Sequence, residues 1–193
     1  MKEEYKELIS KFFPFFFNDE GFKELLNIIT IKEIPAKTIL LSEGDIAAKL
    51  FFVTKGSLRT YFIKENGSEI TSQFFIEGQM VMSFESAITG KPSRLYIDTI
   101  EDSTIGFIKI KTFEKLFRGN NAARDHLNKF LMTRLVYYMN QQASFILDSP
   151  EKRYIKFMHD NPELVSRIPQ QYIASYLGIT PVSLSRIRAR IKK

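Results

Sequence analysis

Residues 170–193 read QQYIASYLGITPVSLSRIRARIKK. Ile173, Ala174 and Leu177 share one side of a helix that begins near Pro169. Gly178 follows where helices commonly leave through a left-handed residue. Thr180-Pro181 then signals a second start. Proline suits the first helical turn, and it pushes Thr180 into the extended geometry of an N-cap. Ile179 plugs the space between the two helices. In the second, about 181–191, Leu184, Ile187 and Ile191 are spaced i, i+3, i+7 for burial. Val182, Ser183, Arg186 and Arg190 face outward, with Ser185 and Arg188 at the flanks. The spacing predicts a helix–turn–helix.

Its charge is lopsided. From Arg186 onward there are five cations and no acid. The 45 residues from Ser149 hold nine Lys/Arg against three Asp/Glu, whereas the first 148 hold 19 of each. The whole net charge of +6 therefore sits in the C-terminal segment. An anionic partner is expected for it. Arg186 suits a guanine edge or a phosphate. Ser183 and Ser185 suit phosphate oxygens or base edges, and Val182 suits a thymine methyl. Gln170 and Gln171 begin the preceding helix, where free N–H groups and the positive dipole end favour a phosphate. Together with Thr180, Arg188 and Arg190 they complete the expected double-stranded DNA contacts.

Upstream the texture changes twice. Tyr5, Leu8, Ile9, Phe12 and Phe13, then Phe22, Leu25, Leu26 and Ile29, fall at helical spacing. From about Ile31, glycines recur at 44, 56, 67, 78 and 90, between the β-prone runs TILL, LFFVT, SLRTYFI and EITSQFF. LYIDTI and TIGFIKI follow. Turn signals every eleven or twelve residues predict a sandwich or roll, and Asn66-Gly67 is the strongest hairpin signal. From about Asn120 to Pro150 there is neither Gly nor Pro, so one helix of about seven turns is expected. Its stripe, Leu127, Leu131, Leu135, Tyr138, Gln142 and Phe145, exceeds what one small roll would cover, which favours pairing with a second copy over packing on its own roll. Ser149-Pro150-Glu151 starts the next helix. The class is α+β: a β-roll with N-terminal helices over 1–119, a long helix over 120–148 and a helix–turn–helix domain over 149–193.

Taken together, IPQQYIASYLGITPVSLSRIR in the C-terminal part, with EGDIAAKLFFVTKGSLRTYF and ESAITGKPSR in the roll, resembles the Crp/Fnr family of bacterial transcription regulators. The resemblance covers nearly the whole chain. It implies a cytoplasmic homodimer that binds a two-fold operator and recruits or blocks RNA polymerase. The Arg that family members use on guanine matches Arg186, but the other base-reading places hold Pro181 and Val182. In members that bind cyclic nucleotides a Gly-Glu pair meets the ribose and an Arg-Ser or Arg-Thr pair the phosphate. Here those places read Met82-Ser83, with Glu85 the nearest acid, and Ser93-Arg94 in reversed order. Glu85, Ser93 and Arg94 are the candidate effector contacts. Cyclic AMP is disfavoured, and the sequence names no other effector.

No cofactor is required by this reading. With no cysteine in the 193 residues, a cysteine-held iron–sulfur cluster or zinc site is excluded. The two histidines, His126 and His159, both lie outside the roll, which argues against a metal-holding β-roll enzyme. Neither a phosphate-binding glycine loop nor a nucleophile elbow occurs, so no catalytic residue is assigned. No run is long and apolar enough for a membrane span. The competing reading is a small-ligand- or cyclic-nucleotide-binding roll without sequence-specific DNA binding.

Overall fold

A computed structural model describes residues 7, 10, 13, 19–117 and 120–191. Of the expected N-terminal helices, the one through Tyr5, Leu8, Ile9 and Phe12 lies outside the described residues. The second is α1, Asp19–Ile28.

Eight strands form two four-stranded antiparallel sheets. The first, ordered β1-β8-β3-β6, contains β1 (Thr30–Ile34), β3 (Lys49–Lys55), β6 (Met80–Val81) and β8 (Ser103–Lys109). The second, ordered β2-β7-β4-β5, contains β2 (Ile39–Leu41), β4 (Leu58–Ile63), β5 (Glu69–Phe75) and β7 (Tyr96–Thr99). Every β-prone run of the sequence is a strand. The short helices α2 (Phe84–Thr89) and α3 (Ile110–Phe117) carried no clear signal.

β3 explains the unbroken run LFFVT, because it is buried on both faces. Phe51 and Val53 point into the inter-sheet core with Leu58, Phe75, Ile97 and Ile105. Leu50 and Phe52 point the other way, into a cluster with Phe13, Leu25, Ile29, Ile108, Phe113 and Ala123. Successive strand side chains alternate in this manner. Gly106 lies opposite Phe52 in the β3–β8 ladder. A Cβ there would stand 1.9 Å from the Phe52 ring, so only glycine fits beneath it.

The second sheet holds an ion pair. Arg59 Nε and Nη2 each lie 2.9 Å from a different Asp98 oxygen, across the register pair of β4 and β7. Arg59 is 2% exposed and Asp98 6%. The guanidinium also sits 4.1 Å from the Tyr61 ring centroid, and Tyr61 stacks on Tyr96 at 5.0 Å.

The chain divides into two compact units: residues up to Phe62 with Gln73–Asn128, and Ile63–Ser72 with the residues from Lys129 onward. The hairpin turn at Asn66-Gly67 thus groups with the C-terminal unit. Lys64 accepts the Gly67 N–H at 2.8 Å, and the Asn66 side chain accepts the Ser68 N–H at 3.1 Å.

The long helix is α4, Asn121–Leu147, of 27 residues, or about 40 Å. Leu127 packs on the roll cluster. Further along, the apolar side chains are open: Met132, Leu135, Met139 and Ile146, with Leu135 53% and Met139 60% exposed. This row shares Leu135 with the expected stripe and otherwise lies one residue further along. Leu127 serves the roll, and Leu131, Tyr138 and Phe145 are less exposed than the residues that follow them.

Candidate nucleic-acid interface

Four helices follow α4: α5 (Pro150–Asp160), α6 (Pro162–Arg167), α7 (Gln170–Tyr176) and α8 (Pro181–Ile191). α5 starts as the sequence predicts. The Ser149 side chain accepts the Lys152 N–H at 3.3 Å, and Pro150 opens the first turn. Asn161 separates α5 from the short α6, which Pro162 opens.

The turn between α7 and α8 is set by backbone chemistry. Gly178 has φ +69°. Its N–H donates to Ser175 C=O at 3.1 Å, and the Ile179 N–H donates to Ala174 C=O at 3.0 Å. This pair of bonds closes α7 and needs the left-handed residue that glycine supplies without strain. Thr180 then caps α8, its Oγ1 accepting the Ser183 N–H at 3.2 Å and lying 3.0 Å from Ser183 Oγ.

Leu184 and Ile187 of α8 are buried with Ile173, Ala174 and Leu177 of α7. Ile191, expected in that stripe, is exposed. α7 is only seven residues long, about 10 Å, so it covers the first turns of α8 and not the last. The outward face carries Val182 (61% exposed), Ser185, Arg186 and Ala189. Arg190 is exposed on one flank and Arg188 half-buried on the other. Ser183 is half-buried, and its hydroxyl faces the cap. Gln170 and Gln171 are exposed in the first turn of α7. Structure and sequence therefore agree on Val182, Ser185 and Arg186, while Ala189 was missed. The i, i+4, i+7 relation of Val182, Arg186 and Ala189 could have found it.

Arg153 was also missed. Its Nη1 donates to Asp148 C=O at 2.8 Å and its Nη2 to Leu177 C=O at 2.9 Å, and its guanidinium lies 4.9 Å from the Phe145 ring centroid. One side chain thus binds carbonyls at the end of α4 and at the end of α7, groups that a helix leaves unpaired. Beside it, Tyr176 contacts Phe157 and bonds Gln141 of α4. Burial, with Tyr137 adjacent, pushes the Tyr176 phenol upward from its usual value, so it remains a neutral hydrogen-bonding group. Ser175 faces the hairpin, accepting the Thr71 N–H and donating to Glu69 C=O, both at 2.9 Å. These contacts fix α7, and α7 in turn fixes the presentation of α8.

The three effector candidates lie together, two of them paired with each other at the surface. Glu85 lies in α2 and pairs at 3.0 Å with Arg94, both side chains well exposed. Ser93 is buried beneath them. Its Oγ lies 3.0 Å from Ser83 Oγ, and its backbone bonds Gly44 and Asp45 at 2.8 Å each. Ser93 and Arg94 occupy a loop before β7 rather than a strand.

Residues 31–120 match the cyclic nucleotide-binding domain family. Over 195 residues the chain is 26% identical to the anaerobic regulatory protein of Pasteurella multocida, covering 93% of this chain and 70% of that protein. Over 193 residues it is 23% identical to the fumarate and nitrate reduction regulatory protein of Escherichia coli, covering 93% and 76%. The fold is that of FixK2 from Bradyrhizobium japonicum (TM-score 0.75, 18% identity, 86% of this chain and 85% of that one). It is also that of the c-di-GMP-responsive global regulator CLP from Xanthomonas campestris (0.72, 18%, 90% and 92%). The chain is similar over most of its length to these regulators. Like them it joins a roll, here matched by the cyclic nucleotide-binding domain family, to a C-terminal helix–turn–helix. Its 193 residues contain no cysteine, and among the described residues no three His, Asp or Glu side chains cluster as metal ligands. The donor set therefore does not suit a cysteine-held cluster.

Proposed function

We propose that the protein is a transcription regulator that binds a two-fold DNA operator as a homodimer, with α8 in the major groove. The observation that carries this reading is the outward face of α8. It is cationic and exposed, and it is held by a glycine-closed turn, a threonine cap and a buried two-helix contact. In this reading 1–119 is the sensing roll, 120–148 the dimer helix and 149–193 the DNA-binding domain. The bound dimer recruits or blocks RNA polymerase in the cytoplasm. No catalytic step is proposed. Among the described residues no helix is long and apolar enough to cross a membrane.

Arg186 lies one turn past Val182 at the centre of the exposed face and is assigned to base reading. Gln170, Gln171, Thr180, Arg188 and Arg190 are assigned to phosphates, which position the domain without reading sequence. Arg186→Ala is expected to cost about 1–3 kcal/mol on the preferred operator and to flatten base preference at one position per half-site. Arg190→Ala is expected to weaken all duplexes alike. Titrations on operator and scrambled DNA decide it. Equal loss on both for Arg186→Ala would reduce Arg186 to a phosphate contact.

The roll is proposed to respond to an effector other than cAMP. The ribose-binding Gly-Glu pair is replaced by Met82-Ser83, and the solvent-exposed Arg94 is paired with Glu85. Calorimetry with cAMP should give no saturable heat below about 1 mM. Micromolar binding that disappears in Arg94→Ala would contradict this.

A further inference from the structure

One cation on the α8 rim already has an anionic partner. Arg190 Nη2 lies 3.1 Å from Glu151 Oε2. We propose that Glu151 competes with DNA phosphate for Arg190, and so sets the strength of sequence-independent binding. The inference rests on reading α8 as the recognition helix.

Glu151 is held where it can compete. It stands in the first turn of α5, directly after the Ser149 cap and Pro150. The positive end of the helix dipole favours an acid there. A groove of about 660 Å³ separates this helix start from α8, and its polar lining comprises Ser149, Glu151, Ser183, Arg186 and Arg190. Glu151 is the one acid in that lining. A phosphate entering the groove therefore meets two guanidinium groups, and one of them must first release a carboxylate.

Release is cheap, because the pair is solvated: Arg190 is 65% exposed and Glu151 41%. Exposed pairs of this kind are held only weakly. The competition therefore tunes affinity and does not block binding. Since phosphate contacts carry no sequence information, the tuning acts on operator and unrelated duplexes alike. Arg186, on the same groove, keeps its base-reading role.

The test is a set of four proteins: wild type, Glu151→Gln, Arg190→Ala and the double variant. Each is titrated with one operator duplex and one scrambled duplex by fluorescence anisotropy. Circular dichroism melts establish that all four are folded. Glu151→Gln is expected to tighten both duplexes by about 2- to 5-fold per half-site. In the Arg190→Ala background the same change is expected to have no effect. An unchanged affinity for Glu151→Gln overturns the proposal. So does an equal gain in both backgrounds, which would show that Glu151 acts only as a distant negative charge. If folded wild type retains neither duplex, the reading of α8 fails, and this inference falls with it.

Discussion

Replacing Asp98 with alanine should lower the stability of the roll by about 3–5 kcal/mol. Asp98 and Arg59 form a two-pronged pair within the second sheet, each bond 2.9 Å. Both residues are nearly excluded from water. Removing the carboxylate takes the two-pronged partner from a guanidinium that is buried from water. Its contact with the Tyr61 ring offsets only part of that loss. The cost is therefore that of breaking a buried pair from one side, which exceeds the net worth of the intact pair. A double change, Arg59→Met with Asp98→Leu, removes both charges and should recover most of the stability. Urea unfolding of the three proteins measures it. A loss below about 1 kcal/mol for Asp98→Ala would mean that the pair is hydrated in solution.

Leu135→Glu combined with Met139→Glu should convert a dimer into a monomer and lower operator affinity by about 10²–10⁴-fold, the factor that a second linked contact commonly contributes. The two positions lie at the centre of the open apolar row of α4, Met132, Leu135, Met139 and Ile146. Alternating spacings of three and four are those of a two-helix seam. Four new carboxylates per dimer would face one another across it. Sedimentation at micromolar concentration gives the oligomeric state, and anisotropy gives the affinity. A wild-type protein that sediments as a monomer while binding a two-fold operator tightly would contradict the dimer assignment.

The strands and the helix–turn–helix were legible because both depend on local signals. Glycines at 44, 56, 67 and 78 and the apolar runs between them mark the roll. Gly178, Thr180 and Pro181 mark the turn before α8. What escaped depends on contacts distant in sequence. Arg153 binds a carbonyl 24 residues away, at Leu177, and nothing at position 153 announces that partner. Glu151 was read only as a helix start, because its pairing with Arg190 requires α5 and α8 to be neighbours. The open row of α4 differs in part from the expected stripe for a similar reason. Periodicity gives an apolar face, but packing on the roll decides which edge of that face Leu127 consumes. At the effector candidates, residue type could not show that Glu85 and Arg94 pair with each other at the surface or that Ser93 bonds Ser83.

α8 is proposed to read sequence in a two-fold operator. Selection of bound duplexes from a random pool, carried out with the wild-type protein with and without cell extract, tests it most directly. An enriched inverted repeat is expected, with half-sites about one helical turn, ~34 Å, apart. Preference at one position of each half-site is expected to be lost in Arg186→Ala. A pool that stays random under both conditions, or an enriched site without two-fold symmetry, would contradict that assignment of α8.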